Sequence, residues 1–153
     1  MNKQFHLTAE GISEFKEELK TLIASRTSIA DKIKTAREFG DLSENAEYSA
    51  AIQEQDRTEN RIVEIEYILQ NVEEIAKPTK GGTVQLGSTV ELRSKNGKSK
   101  AYKVVGTVEA NPSEGKISDE SPIGQALLKK IVGDSVEIAT PAETVIYKII
   151  SIS

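Results

Sequence analysis

The 153-residue sequence has no cysteine, no tryptophan, one methionine and a single histidine, His6. The lack of cysteine excludes disulfides, thiolate metal sites and a cysteine nucleophile. One histidine cannot build a Ser–His–Asp triad or the usual His-based zinc arrangements. Aromatic residues make up only 5% of the chain. No stretch approaches the roughly 20 apolar residues of a membrane span. The opening residues, Met1-Asn2-Lys3-Gln4-Phe5-His6, lack the apolar core of a signal peptide, so no membrane partner and a cytoplasmic location are expected.

Apolar residues at 37% and charged residues at 29% describe a protein with much surface for its core, as an elongated shape would have. The net charge of −4 hides an asymmetry. Residues 1–76 carry 9 Lys+Arg against 16 Asp+Glu, and the remainder carries 11 against 8, giving −7 and +3. Neither half is basic enough to suggest autonomous nucleic-acid binding.

Within the first half, Ile12, Phe15, Leu19, Leu22, Ile29, Ile33 and Ala36 form a heptad seam in which Arg26 fills the missing position. A second seam runs through Tyr48, Ala51, Gln55, Thr58, Ile62, Ile65, Leu69, Val72 and Ala76. The two mirror each other about residue 42, which predicts an antiparallel coiled-coil hairpin over 1–76. Each arm of some 30 residues would extend about 45 Å at the helical rise. Thr8 is a suitable N-cap for the first helix, Gly40 a suitable terminator, and Asp41 or Ser43 could cap the second. Arg26 either reaches Asp56 or Glu59 on the other arm or extends its head into solvent.

The tip, residues 40–47, reads Gly40-Asp41-Leu42-Ser43-Glu44-Asn45-Ala46-Glu47. Asp41 and Glu44 have the spacing of a capping box, and caps are commoner than catalytic carboxylates. A tip without walls lacks the concave, desolvated pocket of a self-contained enzyme. Two carboxylates are also too few to hold Mg²⁺, which prefers six oxygens. Inserted into a partner's cleft, they could instead contribute half of a two-metal phosphoryl-transfer centre.

From Val84 the pattern changes to period two. Val90 and Leu92 alternate with polar residues, Asn96-Gly97 suggests a hairpin turn, and Tyr102 and Val104 fit the returning strand. Val136 with Ile138, and Val145, Tyr147 and Ile149, suggest further strands, with turns at Gly133-Asp134 and Pro141-Ala142-Glu143. Ser121-Pro122 is a capped helix start leading into Gln125-Ala126-Leu127-Leu128. The expectation is an α+β domain over 84–153 after a linker at 77–83.

Several segments carry a resemblance to a known family: Leu7-Thr8-Ala9-Glu10-Gly11; Ala36-Arg37-Glu38-Phe39-Gly40-Asp41-Leu42-Ser43-Glu44-Asn45-Ala46-Glu47-Tyr48; Val104-Val105-Gly106; and Ile117-Ser118-Asp119-Glu120-Ser121-Pro122-Ile123-Gly124. Across essentially its whole length the chain resembles the bacterial transcript-cleavage factors. The resemblance implies that the hairpin enters the secondary channel of RNA polymerase. Asp41 and Glu44 then help bind Mg²⁺ at the polymerase active centre, in a catalytic and metal-holding role shared with the polymerase. The polymerase's own nuclease cleaves the extruded 3′ end of a backtracked transcript and rescues the arrested complex. The chain is implied to be a monomeric accessory factor, not an enzyme, and to hold no ion stably alone. Gly40, Leu42, Ser43 and Asn45 would shape the tip, and Glu120, Ser121, Pro122 and Ile123 would contact the polymerase. The second domain is implied to be FKBP-like.

Two positions depart from the family pattern. Ile52 follows Tyr48-Ser49-Ala50-Ala51 where a basic residue is frequent, so contact with the nascent RNA 3′ end is expected to be weak. Phe39 stands where histidine is frequent. Prolyl isomerisation, suggested by an FKBP-like fold, is disfavoured because the second half has only Tyr102 and Tyr147 as aromatics. A non-cleaving coiled-coil scaffold is the main alternative, and an independent nuclease lacks the ligands it needs.

Overall fold

The computed structural model describes residues 4–40, 44–78, 82–139 and 141–153. Their contacts define two units, one holding Ile12–Val72 and the other Phe5–Gly11 together with Glu73–Ser153. No helix among the described residues is long and apolar enough to cross a membrane.

The first unit is built on helix α1, Ala9–Glu38, and helix α2, Ala46–Gln70. Their apolar stripes are the expected seams. Phe15, Ile29, Ile33 and Ala36 are buried on α1, and Ala51, Thr58, Ile62, Ile65 and Ile68 on α2. Ile68 is buried where the heptad reading places Leu69, because a helix of 3.6 residues per turn drifts against a strict seven-residue repeat. Ile29, Ile33 and Ala51 form one cluster, with Tyr48 and Ile52 packed against it.

Ion pairs flank the seam. Lys32 bonds Glu54 at 3.2 Å, Arg26 bonds Glu59 at 2.8 Å, and Arg61 bonds Glu18 at 2.8 Å. The partners' numbers rise on one helix as they fall on the other, which makes the helices antiparallel. Arg26 uses both Nε and Nη2 on the two Glu59 oxygens, so the cross-arm reading of this residue is the one realised.

The hydrogen bond from Arg26 holds the Glu59 carboxyl below its ordinary 4.5. A depressed folded-state value means that the pair's contribution is complete above pH 4.5 and is lost as pH falls through the lower folded value. Because the pair is exposed, the effect is small. Circular dichroism followed from about pH 7 to about pH 3 should show a shallower acid loss of helicity in Glu59→Gln than in the unsubstituted chain.

The second unit contains a five-stranded sheet. Its strands are β3 (Thr89–Ser94), β4 (Ser99–Val105), β5 (Lys116–Ser118), β6 (Ser135–Ala139) and β7 (Thr144–Ile152), in the order β5-β4-β3-β7-β6. Pairing is antiparallel except between β4 and β5. Helix α3, Pro122–Leu127, begins at Ser121, whose hydroxyl accepts from the Gly124 N–H at 3.0 Å. Val90, Leu92, Val104, Leu127, Val136, Ile138, Tyr147 and Ile149 form the core, and Tyr102 packs against it. Both aromatics considered for a proline pocket therefore serve this core.

Three boundaries differ from the sequence reading. The helical pattern extends to Ala76, yet α2 stops at Gln70, and β2, Val72–Glu74, pairs with β1, Phe5–Leu7. The Ile75 N–H extends this pairing by donating to the Leu7 carbonyl at 2.7 Å. A tertiary ladder thus overrides the local period. Residues 5–11 consequently belong with the second unit instead of the hairpin, and Lys77 and Pro78 fall in that unit too. Val84 is buried but not in a strand; its backbone bonds Lys129 and Lys130 beyond α3, and the sheet begins at Thr89.

One buried carboxylate organises the start of α1. Glu109, 7% exposed, accepts from the Thr8 N–H at 2.9 Å and from the Thr8 hydroxyl at 2.7 Å. Thr8 Oγ1 in turn accepts from the Gly11 N–H at 3.0 Å, which makes it the N-cap. A Cβ on Gly11 would meet the Glu109 carboxylate and push it off Thr8, so glycine leaves room for this contact. Glu109→Ala strands two donors, and chemical denaturation should show the second unit losing about 2 kcal/mol.

Candidate functional site

The tip is set by how each helix ends. On α1 the Gly40 N–H donates to the Arg37 carbonyl at 3.3 Å, and Gly40 takes φ +103°, the left-handed region in which glycine terminates helices. Asp41, Leu42 and Ser43 lie outside the described residues. Glu44, ahead of α2, is exposed.

The cap of α2 is Asn45, in place of the expected Asp41 or Ser43. Its Oδ1 accepts from the Tyr48 N–H at 3.1 Å, with the extended backbone of an N-cap. Its Nδ2 donates to the Ala36 carbonyl on α1 at 2.8 Å. One amide therefore satisfies an orphan donor of the second helix and an orphan acceptor of the first. A carboxylate at position 45 could do only the first of these, since it has no hydrogen to donate. Sequence reading placed Asn45 among the tip-shaping residues without seeing this double role.

This cap displaces the capping-box reading. In such a box Glu44 would sit inside the first turn, whereas it precedes the cap. Glu44 makes no hydrogen bond or ion pair with another described residue, so its oxygens are not consumed by α2. Carboxylate oxygens suit a hard cation such as Mg²⁺. Among the described residues no three or more His, Cys, Asp or Glu side chains gather to hold a metal. Phe39, next to Gly40, is 71% exposed and is an aromatic to which sequence reading attached no role.

Three arginines of the hairpin differ in availability for contact with an anionic partner. Arg61 bonds both Glu18 and Glu64, and these carboxylates raise it above its ordinary value. Arg37 lies 5.9 Å from the Tyr48 ring centroid, and Arg57 is exposed. Ile52, in the position of the missing basic residue, packs on the seam cluster.

The second predicted set lies at the start of α3. Glu120 and Pro122 are exposed, Ser121 is the cap, and Ile123 packs partly against the core. The Ser121 hydroxyl donates to the Ser118 carbonyl at 2.6 Å, and the Glu120 N–H donates to the Ser118 hydroxyl at 3.1 Å. Thr107 Oγ1 reaches Glu120 Oε2 at 3.3 Å. The loop is thus internally braced and presents Glu120 and Pro122 outward.

Fold and site define a helical-hairpin factor with an accompanying α+β unit. Residues 5–73 match the family model for the transcription elongation factor N-terminal domain, and residues 78–153 match that for the GreA/GreB C-terminal domain. Transcription elongation factor GreA of Thermoanaerobacter pseudethanolicus is 44% identical over 99% of both chains. GreA of Bacillus subtilis is 40% identical over 99% of this chain and 98% of that relative. A solved structure of the transcription factor Gfh1 is 30% identical and covers 99% of each chain, with a TM-score of 0.48. The chain belongs to the GreA/GreB family of transcription elongation factors.

The two bonds of Asn45 can be separated by substitution. Asn45→Ala loses both and should lower hairpin stability by about 1–2 kcal/mol. Asn45→Asp keeps the cap acceptor and loses the bond to Ala36, so its thermal midpoint should fall between those of the other two chains.

Proposed function

We propose that the protein is a transcript-cleavage factor that docks on bacterial RNA polymerase and inserts its hairpin into the secondary channel. There Asp41 and Glu44 complete a Mg²⁺ site at the polymerase's own nuclease centre, and a backtracked transcript is cut. The observation that best supports this reading is the position of Glu44, exposed and ahead of a helix that Asn45 already caps. Family membership supplies the second support, because the relatives in Thermoanaerobacter pseudethanolicus and Bacillus subtilis are transcription elongation factors.

In this reading the chain acts as an accessory. Carboxylates at positions 41 and 44 add oxygen ligands and orient a water, while the polymerase supplies the remaining ligands and the substrate phosphate. Mg²⁺ bound between the two proteins would supply Lewis-acid stabilisation of the leaving oxygen and a more acidic water. Asn45 and Gly40 position the tip without touching the reacting atoms. The outward Glu120 and Pro122 provide polymerase contact away from the tip. Transcript contact is weak, because Arg61 is engaged by carboxylates and Ile52 replaces a basic residue.

The experiment uses a stalled, backtracked elongation complex carrying end-labelled RNA. Asp41→Asn combined with Glu44→Gln should slow cleavage at least about tenfold, or about 1.4 kcal/mol in activation free energy. Affinity for polymerase should be unchanged. Equal cleavage by the variant and the unsubstituted chain would remove the tip from the mechanism and favour the scaffold alternative.

A further inference from the structure

The second unit carries a cationic surface that the function proposed above does not use. Between Arg93 and Val108 the chain has five cations, Arg93, Lys95, Lys98, Lys100 and Lys103, and no carboxylate. Strand register places Arg93 of β3 directly opposite Lys148 of β7, and Lys148 opposite Ser135 of β6. All three are exposed, on the face of the sheet opposite the core. Like charges directly opposed on neighbouring strands destabilise a sheet. Neither cation makes an ion pair with a described carboxylate. Glu91, farther along β3, is bonded to the Ser151 hydroxyl at 3.1 Å. Glu137 lies opposite Ile146 and pairs with neither.

Beside this row is an open cleft of about 600 Å³, lined by Arg93, Lys95 and Lys148 together with Val132 and Ile146. Val132 is 51% exposed and Ile146 46% exposed, so the cleft offers apolar surface beside its cations.

We infer that this face of the β3–β7–β6 sheet is a docking site for a partner-protein segment rich in acidic and aliphatic residues. Charge complementarity calls for carboxylates over Arg93, Lys148 and Lys95. The exposed Ile146 and Val132 call for aliphatic side chains between them, which a nucleic-acid backbone does not offer. The site is independent of the hairpin tip, and its test does not involve transcript cleavage.

The test uses the full-length protein and fluorescence anisotropy with a labelled peptide of Glu-Asp-Leu repeats, about twelve residues long. Saturable binding that weakens as salt is raised is expected. Lys148→Glu should reduce affinity at least about tenfold, and Ile146→Ser should also reduce it. Because Lys148→Glu replaces a like-charge pair with an opposite one, its thermal midpoint should stay level or rise while binding falls. That split separates a docking role from simple unfolding. Absence of saturation, unchanged affinity in Lys148→Glu, equal affinity for oligo-glutamate, or tighter binding of a single-stranded oligonucleotide would each overturn the inference.

Discussion

A hairpin of two helices can bury only one stripe of each, and the first unit is organised by that constraint. Its seam is narrow, with Ile29, Ile33 and Ala51 as one cluster and Ile62, Ile65 and Ile68 on other turns. Apolar burial at roughly 25 cal/mol per Å² therefore contributes less here than in a globular core of equal length. Charged side chains line both edges of the stripe, and their bridges select the antiparallel register more than they add stability. The many charged residues of the first 76 reflect how much helix surface lies in water. Glu44 is exposed, so its carboxylate stays solvated until a partner removes the water.

Heptad spacing made the hairpin readable, because the core it builds is one-dimensional and local in sequence. The mirror relation of the two seams located the fold-back for the same reason. Arg26 could be read as a cross-arm partner because it occupied a seam position that no aliphatic filled. Asn45 was harder. Asp, Ser and Asn are nearly equal as caps, so local preference could not choose among Asp41, Ser43 and Asn45. The deciding bond runs from Asn45 to Ala36, nine positions away on the other helix, and no local pattern reports it.

In the second unit, alternation revealed the longer antiparallel strands, while the short ones escaped. Lys116–Ser118 is three residues long and pairs in parallel with β4, so neither a period nor a tight turn marks it. The ladder between Phe5–Leu7 and Val72–Glu74 joins segments separated by the entire hairpin. It takes Val72 out of the helical seam to which periodicity assigned it. Glu109 shows the same limit at a single residue. Its carboxylate is buried against Thr8, 101 positions away, and close to Gly11. The outward cations of β3 and β7 were likewise hidden in a half-chain total of only +3. A net charge averages over a surface, whereas strand register concentrates it.

The identity of the α2 cap changes what the tip acids are available to do. A carboxylate engaged by backbone N–H groups at a helix start is already stabilised as an anion, and moving it to a metal would sacrifice those bonds. Asn45 removes that conflict by taking the capping position with a neutral amide, leaving Glu44 outside the helix. Its second bond closes α1 against α2, so the segment carrying the acids starts and ends on restrained backbone. Restraint on both sides limits the conformational entropy lost when such a segment enters a cleft. On the proposed function, carboxylates placed in this way would stay hydrated in the free protein and bind a cation strongly only where a partner provides a low-dielectric site and the remaining oxygens. That division would confine the chemistry to the complex that needs it.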